Sequence, residues 1–124
     1  MANPNIVNVT TINGVTSFLT PANTAAQVLL SNPASSGLVY KINNIVAANA
    51  FGNNAVDTTV SIDNQANGAG TDFPIVSTVS VPADASLIVV DKATSFYLME
   101  NQSIVVTSGT ASGIAYTISY ESIS

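Results

Sequence analysis

Along much of this chain apolar and polar residues alternate one by one, and a period of two restricts those segments to half-buried strands. Residues 55–63, AVDTTVSID, put Val56, Thr58, Val60 and Ile62 on one face and Asp57, Thr59, Ser61 and Asp63 on the other. Residues 114–121, IAYTISYE, do the same with Ile114, Tyr116, Ile118 and Tyr120. Phe73, Ile75, Val79 and Val81 share a parity with Ser77 between them, and Ile104 and Val106 continue the style. Apolar-in, polar-out alternation is the mark of antiparallel sheets with one wet face.

One segment breaks phase. In LVYKINNIVAAN, residues 38–49, Leu38, Tyr40 and Ile42 share one parity while Ile45 and Ala47 take the other. The slip at Asn43-Asn44 is what a β-bulge does, and it predicts one long bent strand of the type that can serve two sheets. Turn signals fall at short intervals: Asn13-Gly14, Pro21-Ala22-Asn23, Asn32-Pro33, Gly52-Asn53-Asn54, Asn67-Gly68, Pro82-Ala83-Asp84, Asn101-Gln102 and Gly109 to Gly113. Asn-Gly between apolar runs is a strong hairpin signal, so residues 6–12 and 15–20 are expected to form the first hairpin. Further strands are expected near 26–31, 38–49, 55–63, 72–81, 86–91, 96–99, 103–108 and 114–121. Pro21 could open a turn of helix, but Val28, Leu29 and Leu30 favour strand. The fold class is therefore all-β, an antiparallel β-sandwich of jelly-roll or immunoglobulin-like type, with about eight to nine strands and no significant helix. At 124 residues it is a single domain spanning 1–124, with 1–12 a possible N-terminal strand or arm that engages a neighbour. A folded surface on the order of 6,000 Å², about a third of the extended chain's, leaves room for a core without staples.

The chemistry is sparse. The chain has no Cys, His, Trp or Arg, its only bases are Lys41 and Lys92, and charged residues make up 7% of it. An ordinary soluble domain carries about 25%. A net charge of −5 without a basic cluster argues against nucleic acid and anionic membranes as partners. No apolar run reaches the roughly 18 residues of a membrane span. MANPNIVNVTT has neither the basic nor the apolar region of a signal peptide.

Catalysis is not expected. Seven carboxylates, Asp57, Asp63, Asp72, Asp84, Asp91, Glu100 and Glu121, show no spacing that pairs two across a sugar. Abundant Ser and Thr lack a His base. Asp63, Asn64, Asn67 and Asp72 bracket a Gly-rich loop whose oxygens suit Ca²⁺, but the spacing is not that of an EF-hand. Asn, Asp and Gly are also plain turn formers, so the turn reading is preferred and no metal or cofactor is assigned. Asn8-Val9-Thr10 and Asn101-Gln102-Ser103 match the glycosylation sequon and are read as chance matches. The aromatics Phe18, Tyr40, Phe73, Phe96, Tyr97, Tyr116 and Tyr120 stand among Ile, Val and acids and are read as core or cross-strand packing. Phe51 lies in the turn-rich stretch 50–54, either folded back onto the sandwich or docked into a partner.

The segments LVYKINNIVAANAFGNNAVDTTVSI, VSVPADASLIVVDKATSFYLMENQSIVV and AYTISYESIS, together with the opening MANPNIVNVTTINGVTS, resemble small β-sandwich structural proteins of tailed bacteriophage virions, especially marine and cyanobacterial phages. Tyr97-Leu98-Met99-Glu100 followed by Asn101-Gln102-Ser103-Ile104 carries the sharpest likeness and reads as a hairpin. Related sequences place Gly and Asp in that turn, where this chain has Asn101-Gln102. The resemblance implies a capsid decoration or cement protein that binds the head lattice as a symmetric multicopy unit, with the major capsid protein or other virion proteins as partners. It implies a homo-oligomer, a trimer on threefold sites, located in the virion after assembly in the host cytoplasm. Interface residues are expected at Ile6, Val7, Val9 and Phe51. The alternative is a tail, fibre or surface module that binds a glycan or receptor through its loops.

Overall fold

A strand with one apolar face needs a second apolar face to cover it, and this chain supplies it by folding into two sheets. The computed structural model describes residues 4–50 and 52–124. Among them nine strands run in chain order: β1 Ile12–Leu19, β2 Gln27–Asn32, β3 Val39–Asn49, β4 Val56–Asp63, β5 Asp72–Val81, β6 Ser86–Val90, β7 Phe96–Leu98, β8 Gln102–Ser108 and β9 Ile114–Ile123. The first sheet has the order β1-β9-β3-β6, with β7 also paired to β3, and the second has the order β2-β8-β4-β5. With β6 and β7 taken as one interrupted strand, this is the eight-position order of a jelly roll. All pairings are antiparallel.

The core lies between the sheets. Ile42, Ile45, Ile114, Tyr116, Ile118 and Leu98 from the first sheet meet Val56, Val60, Ile104 and Val106 from the second, all fully buried or nearly so. The period-two assignments for β4 and β9 therefore hold on their inner faces. The phase slip at Asn43-Asn44 is also real. Across β3 and β9, Ile42 faces Tyr120 and Asn44 faces Ser119, so Asn43 is an extra residue that lets both Ile42 and Ile45 point inward. Opposite the slip, residues 91–95 loop out between β6 and β7. Asp91 closes that loop as the N-cap of a 3₁₀ turn, Lys92–Thr94, with Thr94 reciprocating in a capping box.

Several expectations are corrected. Asn13-Gly14 makes no hairpin. Residues 12–19 run straight through it as one strand paired to β9, because Val15 and Thr16 across from Tyr120 and Ser119 extend the sheet at no cost in phase. The bent β3 serves one sheet only, since all its partners, β6, β7 and β9, lie in the first. The turn at Asn101-Gln102 joins no hairpin either: β7 and β8 belong to different sheets, and the turn crosses the sandwich. Asn101 sits in the left-handed region, at φ 59°, which Asn tolerates.

Three polar pegs tie the sheets together through the apolar interior. The Tyr116 hydroxyl, on β9, donates to the Thr107 carbonyl of β8 at 3.0 Å and pairs with the Thr58 hydroxyl of β4. Because the phenol has one proton, Thr58 is the donor in that second bond. Burial pushes the Tyr116 pKa up, and the Thr58 hydrogen bond opposes the shift. At one end of the sandwich the buried Asn32 of β2 donates from Nδ2 to the carbonyls of Leu38 and Leu98, beside β3 and on β7. At the other end the buried Asn49 of β3 donates to the carbonyls of Asn54 and Val81, the latter on β5. Tyr116→Phe keeps the ring but removes both hydroxyl bonds, leaving a buried carbonyl and a buried hydroxyl short of a partner. Denaturant unfolding should show a loss of about 1–3 kcal/mol with the fold retained. A loss within error of zero would mean that the peg contributes nothing.

Candidate assembly surface

Among the described residues there is no ligand-sized cavity, and no three His, Cys, Asp or Glu side chains converge. The features that stand out are on the surface, and they follow from which strands lie at the edges. An edge strand offers unpaired N–H and C=O groups to any other strand, and natural sheets blunt their edges with charges, Pro, bulges or interruptions. Three of the four edges here are blunted. β5 carries Asp72, Pro74 and register shifts against β4 on either side of Val60. One of these bulges holds Thr78 at φ 51°, rare for a β-branched residue, with its N–H donated to Thr59 Oγ1 at 2.9 Å. The β6/β7 edge is broken by the 91–95 loop. β2 is six residues long and bulges at Leu29.

β1 has none of these devices. It matches β9 over eight consecutive pairs, from Ile12 opposite Ile123 to Leu19 opposite Tyr116, without a register shift. Its sequence, INGVTSFL, contains no charge and no Pro. It is the undefended edge of the molecule.

The outer face of the same sheet adds an apolar row. Directly opposed residues in an antiparallel ladder share a face. Phe18 opposes Thr117, Thr117 opposes Val46, and Val46 opposes Ile88, so these four cross all four strands in a line. Phe18 is 77% exposed and Ile88 is 63% exposed. The next rows are polar: Thr16, Ser119 and Asn44, whose two hydroxyls, Thr16 Oγ1 and Ser119 Oγ, lie 3.1 Å apart, then Gly14, Glu121 and Lys41. Ile12 begins the far end of this face, roughly 20 Å from Phe18 by strand rise.

Of the expected interface residues, Val7 is 92% exposed, Ile6 is exposed and Val9 is half-buried. Phe51 lies outside the described residues. Residues 10–12 belong to the folded body. Thr10 and Thr11 both donate their N–H to the Ser124 carbonyl, and Ser124 donates back to Thr11, so the chain is pinned to Ser124 from residue 10 onward. Before that point the segment turns on itself, with Val7 N–H on Asn5 Oδ1 and Asn8 N–H on the Asn5 carbonyl. Among the aromatics, Tyr40 and Tyr116 are core, Phe96 and Tyr120 pack against it, and the Tyr40 and Tyr120 rings stand 4.9 Å apart. Phe18, Phe73 and Tyr97 are exposed and lie outside the core, each opposite a cross-strand neighbour, Thr117, Ile62 and Lys41. The signal for Phe18 was available: it shares the parity of Thr16 and Gly14, while Val15 and Leu19 take the inner parity.

The 63–72 loop behaves as a turn and more. Asp63 Oδ1 accepts from Gln65 N–H and Gly70 N–H, Asn64 Oδ1 from Thr71 N–H and Asn67 Oδ1 from Ala69 N–H. The loop then lies down on the outer face of the second sheet, where Ser31 Oγ donates to the Ala66 carbonyl and Ser103 Oγ to that of Gln65. Gly68 approaches Val28 and Val105 so closely that a Cβ would come within 2.8 Å of the Val28 side chain. This cover explains why Ser61 and Asp63, expected on a wet face, are buried. Asp63 and Asp72 oppose each other across β4 and β5. The Asp72 pKa is raised, first by a hydrogen bond to Asp63, then by desolvation and by the Asp63 charge.

No family model and no curated protein matches the chain. Among solved structures it is similar to a chain of the Bacillus endospore appendages, which form disulfide-linked pili. The TM-score is 0.51 at 16% identity, covering 91% of this chain and 85% of that one. At this identity the likeness is one of fold. The linkage does not transfer, because this chain contains no cysteine.

Because the Asp72 pKa is raised, the native state holds that proton more tightly than the unfolded chain, and the associated stability is lost as pH rises through the raised value. In chelator-containing buffer, Asp72→Asn should melt above the wild type at pH 7. The difference should shrink towards zero as pH falls below the ordinary value of 3.8. Equal melting temperatures at pH 7 would show that the two carboxyls do not interact.

Proposed function

We propose that this protein is a non-enzymatic, multicopy structural subunit of a virion, a decoration protein that binds the head lattice and its own copies through β1 and the segment before it. The observation that carries the reading is the contrast between edges. Three are blunted, and β1 is regular, uncharged and flanked on its outer face by Phe18. A strand from another chain can add to such an edge through main-chain hydrogen bonds, with side-chain contacts setting the partner. The segment 1–9 is the natural donor. It precedes the pinned residues Thr10 and Thr11 and presents Ile6 and Val7. Residues 10–12 remain with their own fold.

An arm that adds to the edge of the next copy makes a head-to-tail contact, which closes into a ring or continues as a filament. A trimer on a threefold lattice site is the closed form. The low charge supports the reading: contacts among neutral side chains lose little to salt screening, and many weak contacts in an array combine into avidity. Support for the virion comes from the sequence resemblance. Support for self-assembly comes from the jelly-roll fold, which viral capsid domains also use, and from the fold likeness to a pilus protein. With no cysteine, every contact in such an assembly is non-covalent.

Two variants test the reading. Deleting residues 1–9 and replacing Thr16 by Lys should each leave the melting temperature near that of wild type, since neither touches the core. Both should abolish oligomers in light scattering and cosedimentation with phage heads. A wild type that stays monomeric at millimolar concentration and binds no heads would sink the proposal, as would a deletion variant that assembles normally.

A further inference from the structure

We propose that the base of the 63–72 loop is a binding site for a hard divalent cation of the size of Ca²⁺, held between the carboxylates of Asp63 and Asp72. The starting point is an unmet demand. Asp63 is fully buried, and its Oδ1 is used twice, at 2.7 Å from Gln65 N and 3.1 Å from Gly70 N. Its Oδ2 is sealed from solvent, and among the described residues no backbone N–H or side-chain amide or hydroxyl donates to it, which leaves a protonated Asp72 as the one protein group placed to do so. A buried carboxylate oxygen without a partner is costly, because the charge has left water without compensation. The group that faces it is no help as a carboxylate: Asp72 is the direct cross-strand neighbour of Asp63 in the β4–β5 ladder. Like charges at such a position repel. Only something that brings positive charge between the two can satisfy Oδ2, a proton on Asp72 or a metal ion.

The surroundings favour the ion. A hard cation of this kind is coordinated by carboxylate, amide and water oxygens. Asn64 Oδ1 and Asp63 Oδ1 crowd the same point on the loop, the place where a Cβ on Gly70 would stand, at 2.1 Å and 2.8 Å. Gly70 is thus required for the oxygens to gather there. Asp72 is exposed and gives an ion a way in and room for water ligands. Lys41 and Lys92, the two basic side chains of the protein, sit on β3 and in the 91–95 loop, both in or beside the other sheet, so neither competes for the place. With two carboxylates and otherwise neutral oxygens, the affinity expected is that of weak extracellular sites, a Kd on the order of 10⁻⁴–10⁻³ M.

The site has a structural consequence. The loop it closes is the one that covers Val28, Val105 and Ser103 on the outer face of the second sheet. An ion at its base fixes that cover from the end where the two aspartates repel.

The test uses the full chain at pH 7.5, first in chelator and then with CaCl₂, MgCl₂ or NaCl at matched ionic strength. Calcium should raise the melting temperature saturably, by about 5 °C at ten times Kd, with NaCl giving no saturable effect. The amide resonances of Gln65 and Gly70 should shift with the same Kd. Asp72→Asn should lose at least tenfold in calcium affinity; because Asp72 is exposed, this variant should fold even if Asp63→Asn does not. The proposal is overturned if calcium gives no more than the ionic-strength control. It is equally overturned if Asp72→Asn binds calcium as the wild type does, or if Asp72→Asn reproduces the full stabilisation while calcium adds nothing to the wild type, which would leave a shared proton as the sole occupant.

Discussion

Two sheets of Val and Ile can slide over one another with little loss of contact, and what holds this sandwich in one alignment is the set of polar groups buried between them. Tyr116 reaches from the centre of one sheet to Thr58 and the Thr107 carbonyl of the other, while Asn32 and Asn49 clamp the two ends. Each bond adds little net free energy, but a slipped arrangement would strand its partners without hydrogen bonds in a low-dielectric interior. The apolar contacts supply most of the stability and the pegs select the register. The placement of the outer rows follows, because Phe18, Thr117, Val46 and Ile88 line up only while β1, β9, β3 and β6 keep their registers.

The same economy of charge has opposite effects on the two outer faces. The second sheet carries Asp57, Asp63 and Asp72, and a loop folds over part of it. The first sheet is almost neutral, and among the described residues no such loop covers its Phe18–Ile88 row. A face with few charges loses little on desolvation, and this makes the sheet that lacks protection at β1 also the one cheapest to bury against another protein.

Much of the fold was legible because alternation reports burial directly. β4 and β9 were readable from parity alone, and the bulge at Asn43 from a break in it. What was not legible depends on partners distant in sequence. Asn13-Gly14 is a turn signal in any local reading, yet pairing with Tyr120, Glu121 and Ser122 draws it into a strand. Asp63 has a polar parity and is nevertheless buried, since the cover comes from a loop whose path no local pattern reveals. For Phe18 residue type and parity point different ways: an aromatic ring favours packing, while the parity shared with Thr16 and Gly14 puts it on the outer face, and parity wins. Ile6, Val7 and Val9 lie close together in the sequence yet differ in exposure, because Val9 stands next to the residues that pair with Ser124.

β9 comes after the other eight strands in chain order, yet it sits between β1 and β3, inside its sheet. Until residues 114–123 have left the ribosome, β1 has no partner and β3 lacks its longest one. The sheet therefore cannot assemble during synthesis from the N-terminus onward, and its closure must wait for contacts more than a hundred residues apart in sequence, such as Ile12 with Ile123. Proteins dominated by such distant pairings fold slowly. Without residues 114–123, β1 would have no partner, β3 would lose its longest pairing and the apolar inner face would stand open, so the ordering of the whole sheet hangs on this one strand.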